Sequence, residues 1–292
     1  MTTDNQAQGP WAILYNLGMK QILWACDFYK DSLSALEIAA EIATHTNATL
    51  HAIHIMKPPS RHEKDTAGWL ERKNTLEAKL GVIAADLAKR GLGVSYEIIE
   101  SEGTGKAILG EAEKLGAEMI AMGRAGLPGE ENYAGSTARQ VIYGTRRPVL
   151  IARGMDMIPK IDRLLVTTDL STPSFVALDF ALPIARAFSV PVHLLFVYEY
   201  ADIPPTHDEM DSALDELRLA IKTRGLSEGE VKPEVASHLE SGDGIARYIT
   251  DNNIPLTVMS ARGASGLERW LLGSTTERVI KLSSWPLIIV KE

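Results

Sequence analysis

Two segments of the chain, 117–153 and 255–290, follow one plan, and this long-range repeat leaves few folds open. Gly135-Ser136-Thr137 recurs as Gly273-Ser274-Thr275, and Arg147-Pro148-Val149-Leu150-Ile151 recurs as Trp285-Pro286-Leu287-Ile288-Ile289. In the later copy, 255–259 and 286–290 are short, branched apolar runs of the kind that form strands buried on both faces. Between them lies a Gly/Ser-containing loop and then a helix, with Val279, Ile280 and Leu282 as its apolar stripe. The period of roughly 140 residues is that of a domain, longer than a solenoid unit, so it predicts duplication of a whole α/β domain.

The rest of each half fits that reading. Strands are predicted at 20–26, 48–56 and 94–99, and again at 163–168, 191–198 and 231–239. Helices are predicted after Asp31-Ser32 and at 70–90 and 106–115, then at 174–188, 210–223 and 245–251. Segments 103–105 and 242–244 read as turns, 57–68 and 201–208 as long loops, and 1–17 as a loose leader. Five strand–helix alternations per half imply a parallel sheet with helices on both faces and right-handed crossovers. Ligands of such sheets sit beyond the C-terminal strand ends, where strand order switches. The expected domains are 18–153 and 160–292.

Composition narrows the function. The chain of 292 residues is 45% hydrophobic and 23% charged, enough for two domains with their own cores. A net charge of −8 argues against nonspecific nucleic-acid binding, which depends on clustered Lys and Arg. No apolar run approaches the ~20 residues of a membrane span, and 1–11 lacks a basic stretch followed by an apolar one. One cysteine, Cys26, rules out an internal disulfide. A cytoplasmic protein is expected.

Several features converge on the ligand edge. Asp27 ends the first strand of the first half and Asp169 that of the second, where a carboxylate can accept from ribose hydroxyls or an adenine amino group. The last helix of each half opens with Gly-Ser, whose N–H groups and hydroxyl suit phosphate oxygens. Ser260-Ala261-Arg262-Gly263, nine residues and then Gly273-Ser274 resemble the pattern of the universal stress protein family, whose nucleotide-binding members carry Gly, two residues, Gly, nine residues and Gly-Ser or Gly-Thr. Here Ser260 replaces the first glycine. Gly123-Arg124-Ala125-Gly126 keeps both glycines but has only eight residues before Gly135-Ser136.

This resemblance covers nearly the whole chain as two tandem copies. It implies two flavodoxin-like (adenine nucleotide alpha hydrolase-like) α/β domains, each a five-stranded parallel sheet of order 3-2-1-4-5, packed as a pseudo-dimer through the final strands. It also implies ATP or a related adenine nucleotide, with or without Mg2+, as a regulatory ligand. By position it puts adenine near Asp27 and Ile55, and near Asp169 and Val197, with backbone contacts from Met122 and Met259. Ribose and phosphates would lie on Gly123, Gly126, Gly135 and Ser136, or on Ser260, Gly263, Gly273, Ser274 and Thr275. The second set is favoured, because the first loop carries Pro128, Glu130 and Glu131 whereas the second carries Arg262 and Arg269 against Glu268. Whether two chains form a homodimer, and which proteins are partners, is left open.

Plainer readings compete. Gly-Ser can be a simple helix cap, and Asp27 and Asp169 can cap the helices that follow them. Gly103-Thr104-Gly105-Lys106 meets neither phosphate-loop nor dinucleotide spacing. His51 and His54, three apart on a strand, point to opposite faces, so no metal is expected. Cys26 reads as a buried small hydrophobe. No Ser, His and Asp set or carboxylate pair stands out, so hydrolysis would be slow at most. The rival functions are a protein-interaction module without nucleotide, or a pocket for another phosphorylated or lipidic metabolite.

Overall fold

The structure, a computed structural model, describes residues 19–60, 67–124, 135–262 and 272–291. The chain divides into two compact units, Lys20–Ile158 and Pro159–Glu292.

In the first, β1 (Gln21–Cys26) leads through α1 (Lys30–Thr46), β2 (Thr49–Met56), α2 (Ala67–Lys89) and β3 (Val94–Glu100) to α3 (Thr104–Lys114). β4 (Met119–Gly123), α4 (Ser136–Gly144) and β5 (Val149–Ala152) complete it. The order is β3-β2-β1-β4-β5, with every pair parallel. Residues Ile22 to Cys26 of β1 are all buried, as a central strand covered on both faces requires. β3 pairs only with β2 inside this domain and is half exposed. α1 ends at Asn47, whose φ of 57° places it in the left-handed region that asparagine tolerates.

The second domain repeats the order. β6 (Leu164–Thr168) is followed by a 3-10 turn (Thr172–Phe175), α5 (Val176–Phe188), β7 (Val192–Glu199), α6 (His207–Thr223) and β8 (Val231–His238). Next come α7 (Ser241–Asp251), β9 (Thr257–Ser260), α8 (Ser274–Leu282) and β10 (Leu287–Val290). Its strands run β8-β7-β6-β9-β10, all parallel. α6 starts in a capping box: Thr206 Oγ1 accepts from Glu209 N at 3.3 Å, and Glu209 Oε2 accepts from Thr206 N at 2.7 Å. Pro148 and Pro286 stand just before the last strand of each domain, where a missing N–H does no harm. Their carbonyls accept from Ile120 N and Thr257 N.

Two expectations need correction. Segments 103–105 and 242–244 are not free turns, since Thr104 and Ser241 open helices and glycines follow them in the first turn. A Cβ on Gly105 would lie 2.3 Å from Gln140 Oε1, and one on Gly242 2.6 Å from Arg278 Cβ, so these glycines let each helix press on the next one in its domain. Asp31 and Ser32 do not cap α1, which begins at Lys30 without a side-chain cap. Asp31 Oδ1 instead accepts from Gly154 N at 2.7 Å.

Cys26 is 5% exposed, and burial pushes its thiol up to about 12, with smaller influences from the Phe28 backbone, Asp27 and Ser32. A thiol-reactive chromophore at pH 8 is therefore expected to leave the native protein unlabelled and to label it fully in denaturant. Rapid native labelling would contradict the packing of β1.

Candidate functional site

The strand-end aspartates make the same local turn in both domains. Asp169 Oδ1 accepts from Ser171 N at 3.0 Å and from Ser171 Oγ at 2.5 Å, while Leu170 between them is left-handed with φ 65°. Asp27 Oδ1 accepts from Tyr29 N at 2.9 Å across Phe28, also at φ 65°. A carboxylate bonded to the backbone two residues on stabilises a tight turn. That turn holds a left-handed Leu or Phe that would otherwise be strained. Ser174 completes the second-domain corner, its hydroxyl 2.6 Å from Thr168 Oγ1 and donating to Ser171 O at 2.8 Å. The aspartates thus have a structural duty at the edge where a ligand is expected.

In the second domain this corner borders a cleft of about 250 Å³ at the C-terminal ends of β6, β7 and β9. The expected Asp169, Val197, Met259, Ser260, Gly273, Ser274 and Thr275 all line it. Gly263 lies outside the described residues. The floor and walls are Thr167, Phe196 and Ile245, and Ser241 and Arg262 stand at the cleft too. Sequence reasoning missed Ser241, although its counterpart Thr104 likewise follows β3 of its own domain and precedes a packing glycine. Ser241 N and Oγ both donate to Glu199 Oε2, at 3.0 and 2.6 Å, which fixes the start of α7 beside β7. These bonds hold the Glu199 carboxyl below its usual range.

α8 presents its N-terminus to the same cleft. Gly273 is the N-cap and has no side chain to offer, and Gly273, Ser274, Thr275 and Thr276 all face the opening. First-turn N–H groups have no partner within their own helix and carry the positive end of its dipole. The helix is locked in place by Thr276 Oγ1, which donates to Ser260 O at 2.9 Å, and by Arg278, which grips Asp243 of α7 through two bonds of 2.9 and 3.0 Å. Ser260 turns its hydroxyl back on its own loop, accepting from Arg262 N at 3.2 Å. Lys291, just beyond β10, is pushed down to about 8 by burial and then by the charge of Arg262, so two cations crowd this corner.

The first domain arranges the matching residues differently. Asp27, Ile55 and Met122 reach the same sheet edge by register: Cys26 pairs with His54, and Ala25 with Met122. Gly135 caps α4, with Ser136 its first residue, and Gly135 N donates to Arg124 O at 2.7 Å. Gly123, however, is pressed on α1, where an added Cβ would lie 2.8 Å from Ser32 N and 2.9 Å from Asp31 Cβ. Arg124 is 2% exposed, and burial brings its guanidinium down to about 10, aided by Arg153 and opposed by Asp31. Gly154 and Met155 also fold onto α1, with Met155 N donating to Ser34 Oγ at 2.9 Å. Gly126 lies outside the described residues.

Two doubly wound α/β domains, each with a Gly-Ser helix start behind its fourth strand, define a class of tandem parallel α/β proteins. The profile of the universal stress protein family matches residues 18–153 and 160–291, and the chain belongs to that family. A universal stress protein of Mycolicibacterium smegmatis is 26% identical over 286 residues, covering 92% of this chain and 96% of the relative. One of Methanocaldococcus jannaschii is 27% identical over 156 residues, 49% of this chain and 88% of its own length. The crystal structure of a universal stress protein from Archaeoglobus fulgidus shares the fold with a TM-score of 0.67 at 20% identity, over 93% of this chain and 96% of that one. Among the described residues, no helix is long and apolar enough to cross a membrane.

Proposed function

We propose that this universal stress protein binds ATP or a related adenine nucleotide, as a regulatory ligand, in the cleft of its second domain. The observation that carries this reading is the environment of Gly273. Its φ of −67° suits any residue, and among the described residues a Cβ there would meet nothing closer than Ala261 O at 3.6 Å. Packing among the described residues therefore does not require glycine at this position, and the space it leaves lies at a helix N-terminus, where phosphate oxygens come closest to backbone.

The adenine would lie between Val197, Phe196 and Ile245, with Asp169 toward the nucleoside. Phosphates, with Mg2+ where present, would lie on the N–H groups of Ser274 and Thr275 near Arg262. A cleft of about 250 Å³ fits the nucleoside portion, and the phosphates extend over the start of α8. Asp169 is the one carboxylate among the described lining residues, and its Oδ1 already serves the turn, so binding without rapid hydrolysis is expected. The contact of Gly123 with α1 supports a first domain that does not take nucleotide in the same way.

Calorimetric titration of the nucleotide-stripped chain with MgATP tests this, and one equivalent per chain is expected. A matching rise in melting temperature should accompany it, since at about 100-fold Kd a ligand adds ~2.7 kcal/mol to apparent stability. No heat together with no thermal shift would sink the nucleotide reading and favour a protein-interaction module. Two equivalents would show that the first domain binds as well.

A further inference from the structure

A second site lies in the first domain, away from its Gly-Ser helix start. His51 on β2 faces Ser95 across β3, and Glu97, two residues further along β3, shares that face. Glu111 comes from α3. A ring nitrogen of His51 and one carboxylate oxygen each from Glu97 and Glu111 lie within 4.8 Å of one another. His51 and Glu111 are 8% and 7% exposed, while the Glu97 side chain is 49% exposed and forms the rim. His51 Nδ1 is 2.7 Å from Ser95 Oγ, whereas Nε2 is buried and has no hydrogen-bond partner among the described residues.

A buried ring nitrogen without a partner costs stability, and so do two carboxylates held close together. Lys114 answers the carboxylates alone. Its Nζ is 2.9 and 3.1 Å from the two oxygens of Glu111 and 3.8 Å from Glu97 Oε2. An ammonium has no acceptor role to satisfy an imidazole N–H, and among the described residues no group hydrogen-bonds to Nε2. A divalent metal would answer all three groups at once.

We propose that His51, Glu97 and Glu111 form a binding site for a zinc-class divalent cation, and that Lys114 bridges the two carboxylates until the metal displaces it. One imidazole nitrogen and two carboxylate oxygens match the three-protein-ligand arrangement that leaves a fourth position for water. Zinc ligands at about 2.0–2.2 Å from the metal stand roughly 3.3–3.6 Å apart. Closing separations that are already within 4.8 Å therefore takes a modest side-chain rotation, which Glu97 at the rim is free to make. Lys114, with its side chain 64% exposed, can swing into solvent.

The duplication supplies a control. In the second domain His193 and Glu234 recur, 3.3 Å apart, but Tyr248 stands where Glu111 would and Asp251 where Lys114 would. The set is complete in the first domain alone. The spacing argument against a His51–His54 pair still describes that pair, since His54 Nδ1 donates to Cys26 O at 2.8 Å. The partners of His51 come instead from a neighbouring strand and a helix, where sequence spacing gives no hint of them.

The test is titration of the chelator-treated full-length chain with ZnCl2, and with CoCl2 followed by visible absorption. One saturable equivalent is expected, with cobalt bands of low coordination number. Glu111→Gln and Glu97→Gln should each weaken binding by at least about 10-fold, since a direct ligand is worth no less than an outer-shell partner, with the melting temperature followed alongside. Lys114→Met should tighten it, and His193→Gln should leave it unchanged. The inference is overturned if Glu111→Gln and Glu97→Gln titrate like the parent, or if zinc gives no saturable binding. It is also overturned if cobalt keeps the spectrum of the hydrated ion.

Discussion

Trp24→Ala is expected to cost the first domain about 3–5 kcal/mol, the range for emptying a large aromatic site in a packed core. Trp24 is completely buried at the centre of β1, and its neighbours in register are Ala52 on β2 and Ala121 on β4. Two small residues beside one large one leave no side chain able to fill the hole. The indole Nε1 also donates to Ser32 O at 2.8 Å, tying β1 to the first turn of α1, and that tie is lost with the ring. Against a total stability of ~5–15 kcal/mol, a loss of that size leaves the domain marginal. Hydrogen exchange resolved by peptide should show protection falling across 20–158 while the peptides of the second domain keep theirs. A change below about 0.5 kcal/mol in denaturant would show that Trp24 is not the centre of that core.

Gly273→Val is expected to reduce affinity for MgATP at least about 100-fold while changing the melting temperature little. The loss corresponds to roughly 3 kcal/mol, the worth of one or two hydrogen bonds to a charged group. The backbone at Gly273, φ −67° and ψ 147°, is one that valine favours, and the nearest described atom to an added Cβ is Ala261 O at 3.6 Å. Gly244 makes the comparison. A Cβ there would lie 2.7 Å from His238 Cβ and 2.8 Å from Val197 Cγ1, so Gly244→Val should destabilise the fold itself. Binding by Gly273→Val that matched the parent, in a folded protein, would mean the phosphates do not sit on α8.

Much of this architecture was legible from residue order because the governing signals are local. The buried strands announce themselves as short branched runs, and the Pro148 and Pro286 positions mark where the last strand of each domain begins. Helix starts were harder to place. Pattern reading put Ser174 inside a helix, whereas Thr172–Phe175 form a 3-10 turn first, because Ser174 is held by Thr168 and Ser171. Asp31 looked like a cap by type and position, but its carboxylate is spent on Gly154, a contact across most of the domain's length.

The candidate cleft divides in the same way. Asp169, Gly273, Ser274 and Thr275 could be chosen from sequence, because an acid at a strand end and a Gly-Ser helix start are motifs of adjacent residues. Phe196, Ser241 and Ile245 could not, because they enter the cleft only once β7 and α7 lie beside β6.

By itself, the sequence determined that this chain carries two copies of one parallel α/β plan, with the ligand edge at the strand ends, because hydrophobic periodicity and turn chemistry act over a few residues. The tertiary structure alone decided that Gly123 is consumed by packing on α1 while Gly273 faces an open cleft. It also decided that His51 meets Glu97 and Glu111, since each of these outcomes depends on contacts between residues far apart in the chain.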